Sequence, residues 1–148
     1  MKRKIYNVLA VILAVVFAVS AVGFCVVLAD YRRAAKLYEG AQDEYVVQNT
    51  FEPLKGEVDI DIDFEALISD NQEVVGWIYA PNTDVNYPVL QTKDNRKYLH
   101  KGLDGKYLRS GSIFMDYRND ELLSDRNYIL YGHSMRNGSM FGALLKYK

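Results

Sequence analysis

Hydrophobic and polar positions divide this chain into three stretches. From Val8 to Ala29 the sequence is apolar almost without a break, Ser20 being the one side chain there with a strong hydrogen-bonding group. At about 1.5 Å of rise per residue, a helix over that stretch spans roughly 33 Å, enough to cross a hydrocarbon layer. From Asp30 the pattern becomes periodic. Ala34, Leu37 or Tyr38, Ala41 and Tyr45 recur at helical spacing, which predicts a helix over residues 30–49, weakened by Gly40. Its apolar stripe either belongs to a stalk or packs onto the domain that follows. Asn49 to Asp61, with Pro53, Gly56 and a run of acids, reads as a linker.

Beyond Ile60 the runs shorten. Asp63 is placed to cap a short helix carrying Phe64, Leu67 and Ile68 on one face. Val74 to Tyr79, β-branched and aromatic, predicts a strand, Pro81 to Asp84 a turn, and Val85 to Leu90 a second strand. Pro88 has no N–H to donate, so that strand is expected at a sheet edge or at a bulge. Asp94 to Leu99 predicts one helical turn, and Ser112 to Tyr117 and Asn127 to Tyr131 two further strands. Ser139 is expected to cap a last helix with Met140, Phe141, Leu144 and Leu145 facing inward. The fold class expected is mainly β, preceded by a transmembrane helix and a helical stalk.

Charge gives the apolar stretch a direction. Lys2, Arg3 and Lys4 precede it, and no acid occurs before Asp30. Basic residues beside a span stay on the cytoplasmic side, so an N-in signal anchor is expected, although Arg32, Arg33 and Lys36 weaken the bias. The rival is a signal peptide cleaved after Ala18-Val19-Ser20. A lipoprotein fits less well, because bulky Phe24 precedes Cys25. All 19 acids and all but three of the 18 bases lie beyond residue 29, which leaves the outer part net acidic. That sign argues against a nucleic-acid partner.

The chemistry on offer is sparse. Cys25 is the only cysteine, so no internal disulfide and no zinc site of four cysteines can form, and its thiol is expected to be inert among lipids. His100 and His133 lack carboxylate companions at ligand spacing, so no metal and no cofactor is expected. His133, in Tyr131-Gly132-His133-Ser134 at a strand end, can act as general acid or base, or can be a surface turn histidine. No serine stands in a Gly-x-Ser-x-Gly turn. Arg109, Arg118, Arg126 and Arg136 read as surface charges.

An ordered set of segments carries more. Asp63-Phe64-Glu65-Ala66-Leu67, Val75-Gly76-Trp77-Ile78, Asn86-Tyr87-Pro88-Val89, Gly111-Ser112-Ile113-Phe114-Met115-Asp116-Tyr117-Arg118, Asn127-Tyr128-Ile129-Leu130-Tyr131-Gly132-His133 and Gly138-Ser139-Met140-Phe141 follow one another. Together they resemble the first half of class B sortases, the cysteine transpeptidases of Gram-positive surfaces. The resemblance implies the opening strands and short helices of an incomplete sortase-type β-barrel. It implies an enzyme that cuts an Asn-Pro-x-Thr-Asn type of C-terminal sorting signal in a secreted protein. The fragment is held as a thioacyl enzyme and joined to an amine of a peptidoglycan precursor or a pilin. His133 matches the family histidine, and Asn95, Leu99 and Tyr131 fall where class B members line the substrate cleft. The family cysteine and arginine lie further on than this sequence runs.

The expected organisation is a cytoplasmic tip at 1–4, a signal anchor at 5–29, a helical stalk and linker at 30–59, and the first part of an extracellular catalytic domain at 60–148. On this reading the chain is truncated, with unpaired strand edges and a part-built core. It is also inactive alone, because Cys25 within the membrane cannot meet His133 outside it. The alternative is a non-catalytic, membrane-anchored binding module.

Overall fold

The computed structural model describes residues 2–47, 60–122 and 124–147. It forms two units, one reaching to Arg33 and the other running from Ala34 onward. Helix α1, Lys2–Tyr45, contributes to both. No proline interrupts it, and Gly40 costs too little helix propensity to break it. Its N-terminal part is long and apolar enough to cross a membrane, with a mean hydropathy of 3.0 over the most apolar window, none of it buried by protein.

In the second unit, Ala34, Tyr38, Ala41 and Tyr45 of α1 are all buried. Of the two options for this stripe, packing onto the domain is the one observed. The Tyr38 hydroxyl donates to the Gly111 carbonyl at 2.6 Å and shares a hydrogen bond with Ser112 Oγ at 2.9 Å. Gln42 Nε2 donates to the Asn86 carbonyl at 2.7 Å. Beyond the helix, β1 (Val46–Val47) pairs antiparallel with β2 (Asp61–Ile62), and Asp63 N donates to Tyr45 O at 2.8 Å. Most of the expected 49–61 linker lies outside the described residues.

Helix α2, Phe64–Asp70, starts as its sequence predicts, with Asp63 Oδ1 accepting from Ala66 N at 3.0 Å. The bond satisfies one of the orphan donors of the first turn. Asp63→Ala is expected to lower stability by about 1 kcal/mol in urea unfolding of the full chain, without change in far-UV circular dichroism of the folded state. Leu67 on the inner face is fully buried.

The main sheet runs β3 (Val74–Tyr79), β4 (Asn86–Leu90), β5 (Ile113–Met115) and β6 (Leu130–Tyr131) in that order. The outer pairs are antiparallel and β4–β5 is parallel. β4 is therefore an interior strand, against the edge position expected from Pro88, and the irregularity in register falls between Val74 and Gly76 on β3 instead. The reason lies in the ladder. Ala80 N donates to Val85 O at 2.9 Å, so the alternation of antiparallel pairs makes Trp77↔Pro88 a non-hydrogen-bonded pair. On the other side, pairing with β5 begins only at Val89. Neither neighbour asks Pro88 for a donor.

Strand alternation deals side chains to two cores. Val85, Tyr87, Val89, Ile113 and Met115 join Ala34 and Tyr38 of α1 in one. Leu90 and Phe114 join Leu67, Val74, Tyr98, Ala41 and Tyr45 in the other. By residue count helix exceeds strand, because α1 alone has 44 residues and the longest strand has six. A mainly β class is not clearly shown: beyond Ile60, too, strand and helical residues are about equal in number among the described residues.

The last element is a 3₁₀ helix, Phe141–Tyr147, not the expected α-helix. Ser139 does not cap it, because its hydroxyl donates to Asn137 Oδ1 at 2.7 Å. The tighter turn of about three residues brings Met140 and Ala143 to the same side, and both are buried. Leu144 and Leu145, expected inward on α-helical spacing, are 38% and 53% exposed.

Candidate functional site

The site lies along the antiparallel β5–β6 pair, whose two strands end at opposite ends of the ladder, beside the 91–100 segment. Phe114↔Tyr131 and Met115↔Leu130 are paired, which sets Asp116 just past β5 on one strand and Gly132-His133 just past β6 on the other. A Cβ on Gly132 would fall 2.3 Å from Ile113 Cδ1 and 2.9 Å from the Phe141 ring. Only glycine lets the chain leave the strand at that depth and deliver His133. The His133 carbonyl then accepts from Phe141 N at 3.0 Å, which holds the backbone on the far side.

His133 Nε2 lies 2.9 Å from the Leu99 carbonyl oxygen. A carbonyl only accepts, so Nε2 carries the proton, and in the neutral ring Nδ1 is the free acceptor. The other contact is aromatic: His100 stacks on His133 with centroids 5.6 Å apart, and Tyr107 stacks on His100 at 6.2 Å. Leu99 and His100 belong to a 3₁₀ turn, Lys97–Leu99, and its C-cap, and this turn is well anchored. Asp94 Oδ1 accepts from Arg96 N and Lys97 N at 2.7 and 3.1 Å, and Lys97 pairs with Glu73 of the segment before β3.

Asn95 and Tyr131 meet on one carboxylate. Asn95 Nδ2 donates to Asp116 Oδ2 at 3.0 Å and the Tyr131 hydroxyl donates to the same oxygen at 2.9 Å. Asp116 is buried, and Arg118 forks onto it, with Nε on Oδ1 and Nη2 on Oδ2, each at 2.9 Å. The Arg118 side chain and amide, followed by Tyr131 and Asn95, hold the Asp116 carboxyl well below the usual carboxylate range despite its burial. The same bond to Asp116 raises the Tyr131 hydroxyl above its ordinary value.

The residues singled out from sequence thus fall into two adjoining groups. His133 sits with Leu99, and Asn95 sits with Tyr131. Sequence reasoning missed His100 as the stacking partner and Asp116 as the hub, and it read Arg118 as a surface charge. The Arg118 side chain is indeed 64% exposed, but its head is committed to Asp116. The one local sign was an acid directly after the apolar run Ile113-Phe114-Met115, with an arginine two residues on. A cleft of about 620 Å³ is lined by Glu73, Gln91, Asp94, Tyr117 and Asp120 among others, and its lining includes none of Asn95, Leu99, Tyr131 and His133. Among the described residues, no three His, Cys, Asp or Glu side chains gather as a metal site requires. The one cysteine, Cys25, lies exposed on the apolar part of α1, in the other unit.

No family model matches the chain. Curated relatives do. Sortase B of Listeria monocytogenes is 49% identical over 77 residues, 52% of this chain and 31% of the relative. Sortase B of Staphylococcus aureus is 45% identical over 84 residues, 57% of this chain and 34% of the relative. Among solved structures, sortase B of Bacillus anthracis superposes with a TM-score of 0.67 at 45% identity, covering 80% of this chain and 55% of that one. The folded unit is therefore of the sortase type. Over about half of its length the chain is, more narrowly, similar to class B sortases. It spans about a third of the length of the curated relatives it matches.

Proposed function

We propose that this chain carries the histidine-bearing part of a class B sortase-type cysteine transpeptidase, held in the cell membrane by α1 with its N-terminus cytoplasmic and the domain outside. The observation that carries the reading is His133, delivered by Gly132 at a strand end and fixed through Nε2 on the Leu99 carbonyl. In the whole enzyme a cysteine thiolate attacks the sorting signal of a secreted protein and forms a thioester. His133 gives a proton to the departing amine and takes one from the incoming amine of a peptidoglycan precursor or pilin. Asn95, Leu99 and Tyr131 line the peptide cleft in this reading.

The sequence as it stands supplies one cysteine, Cys25, on the apolar helix. None of its arginines is assigned to oxyanion stabilisation. On this reading residues 1–148 by themselves bring no thiol to His133. The full chain in lipid nanodiscs, incubated with an Asn-Pro-Ala-Thr-Asn peptide, is expected to give no cleavage above its His133→Ala variant. Turnover above that control would sink this part of the reading. The position of the cysteine also favours a second reading, a membrane-anchored module that binds a partner or sorting signal without cutting it. Saturable peptide binding in the same nanodiscs without cleavage is what that reading requires.

A further inference from the structure

Asp116 is only 1% exposed, and donors surround its carboxylate. Oδ1 accepts from Arg118 N and Arg118 Nε, and Oδ2 accepts from Arg118 Nη2, Tyr131 Oη and Asn95 Nδ2, all within 3.0 Å. An ionised carboxylate offers about four lone-pair sites, so none is left for a ligand. What Asp116 controls is the polarity of its neighbours. Tyr131 spends its hydroxyl proton on Asp116 and keeps only lone pairs to offer. Asn95 spends Oδ1 on Tyr117 N at 3.0 Å and one Nδ2 hydrogen on Asp116, and keeps one N–H.

We propose that Asp116 is a positioning residue for the candidate peptide cleft, fixing Tyr131 as an acceptor and Asn95 as a donor toward the bound sorting-signal peptide. This rests on the cleft reading above. Arg118 has the supporting part: it keeps Asp116 ionised, because a protonated Asp116 would hold one hydrogen of its own and compete with Tyr131 or Asn95. The charged and titratable groups facing Asp116 are Arg118 from the following turn and Tyr131 from β6; Asn95, from the 91–96 segment, is neutral. The next carboxylates, Asp120 and Asp125, are turned to Ser124 and Asn119.

The sign of the pH effect follows. A carboxyl held below its ordinary value keeps its network intact above that value and loses it as pH falls through the lowered one. Removing Arg118 takes away the largest lowering influence, so the loss moves to higher pH.

The test uses the full chain in nanodiscs with tyrosine labelled at Cζ, and a fluorescein-labelled, amidated Asn-Pro-Ala-Thr-Asn peptide as probe. Between pH 7 and 4 the Tyr131 resonance is expected to stay constant in the wild type. It titrates in Arg118→Gln and is displaced throughout in Asp116→Asn. Peptide affinity is expected to fall about tenfold in Asp116→Asn, and in Arg118→Gln only on acidification. In a Tyr131→Phe background, adding Asp116→Asn is expected to cost less than it does alone, which a general loss of stability would not produce. A Tyr131 resonance in Arg118→Gln that ignores pH, or equal affinity in wild type and Asp116→Asn, overturns the proposal. If the wild type binds no peptide, the cleft reading falls, and the Tyr131 titration by itself decides whether Asp116 sets that hydroxyl.

Discussion

His133→Ala is expected to lower kcat/KM by about 10²–10⁴-fold in an enzyme made by joining this chain to the remainder of the Listeria relative beyond the matched stretch. The range is that of a positioned general acid–base group, about 3–5 kcal/mol of transition-state stabilisation. Proton transfer to the leaving amine and from the incoming one both pass through the same ring in the proposed scheme, so both half-reactions slow. A peptide-cleavage assay with an added amine separates them: hydrolysis and transfer should fall together. A variant that loses transfer but keeps cleavage would place the histidine at the second step alone. Peptide affinity should fall far less than kcat/KM, because the ring meets the cleft through the Leu99 carbonyl and makes no bond to the Asn95–Tyr131 pair.

Gly111→Ala is expected to be the most damaging single-methyl change in the fold, on the order of 3 kcal/mol from left-handed strain and overpacking together. Gly111 has φ +57°, and a Cβ there would sit 2.3 Å from the Tyr98 carbonyl oxygen and 2.6 Å from that of Leu99. Backbone atoms cannot swing aside as a side-chain tip can. Relief would have to move the 3₁₀ turn at Lys97–Leu99, whose Leu99 carbonyl is the His133 acceptor. The same glycine receives the Tyr38 hydroxyl, so α1 is disturbed too. Urea unfolding measures the loss, and the His133 imidazole resonances report whether its bond to Leu99 survives. A stability within 1 kcal/mol of wild type would contradict the close approach.

Much of this was legible in the sequence. The α1 span, the Asp63 cap and the β3–β4 hairpin each follow from local rules: an apolar run, a side-chain acceptor three residues before an amide, and two β-branched runs around Pro81-Asn82-Thr83-Asp84. The resemblance to class B sortases rested on six ordered segments between Asp63 and Phe141. What was illegible depends on partners distant in sequence. Asp116 is paired with Asn95, 21 residues earlier, and Tyr131, 15 residues later, and no periodicity announces such a meeting. The stripe on α1 fixed which face is apolar but not what covers it. Pro88 misled because the rule against interior proline considers a strand alone, whereas its tolerance here comes from the phase of the ladder with β3. The last helix misled because α and 3₁₀ turns share the same residue preferences and differ in which residues they bury.

The small β1–β2 clasp has a consequence for engineering. Val46 faces Ile62, Val47 faces Asp61, and the Asp63 amide closes on Tyr45, so the stretches 45–47 and 61–63 are held side by side. Holding two chain ends together carries a closure entropy that grows slowly with the length between them, about 0.6 kcal/mol for each doubling. Because this clasp is a sheet of its own, an epitope, a fluorophore or a tether inserted between its strands enters neither the register of β3 to β6 nor the stacking of the two histidines.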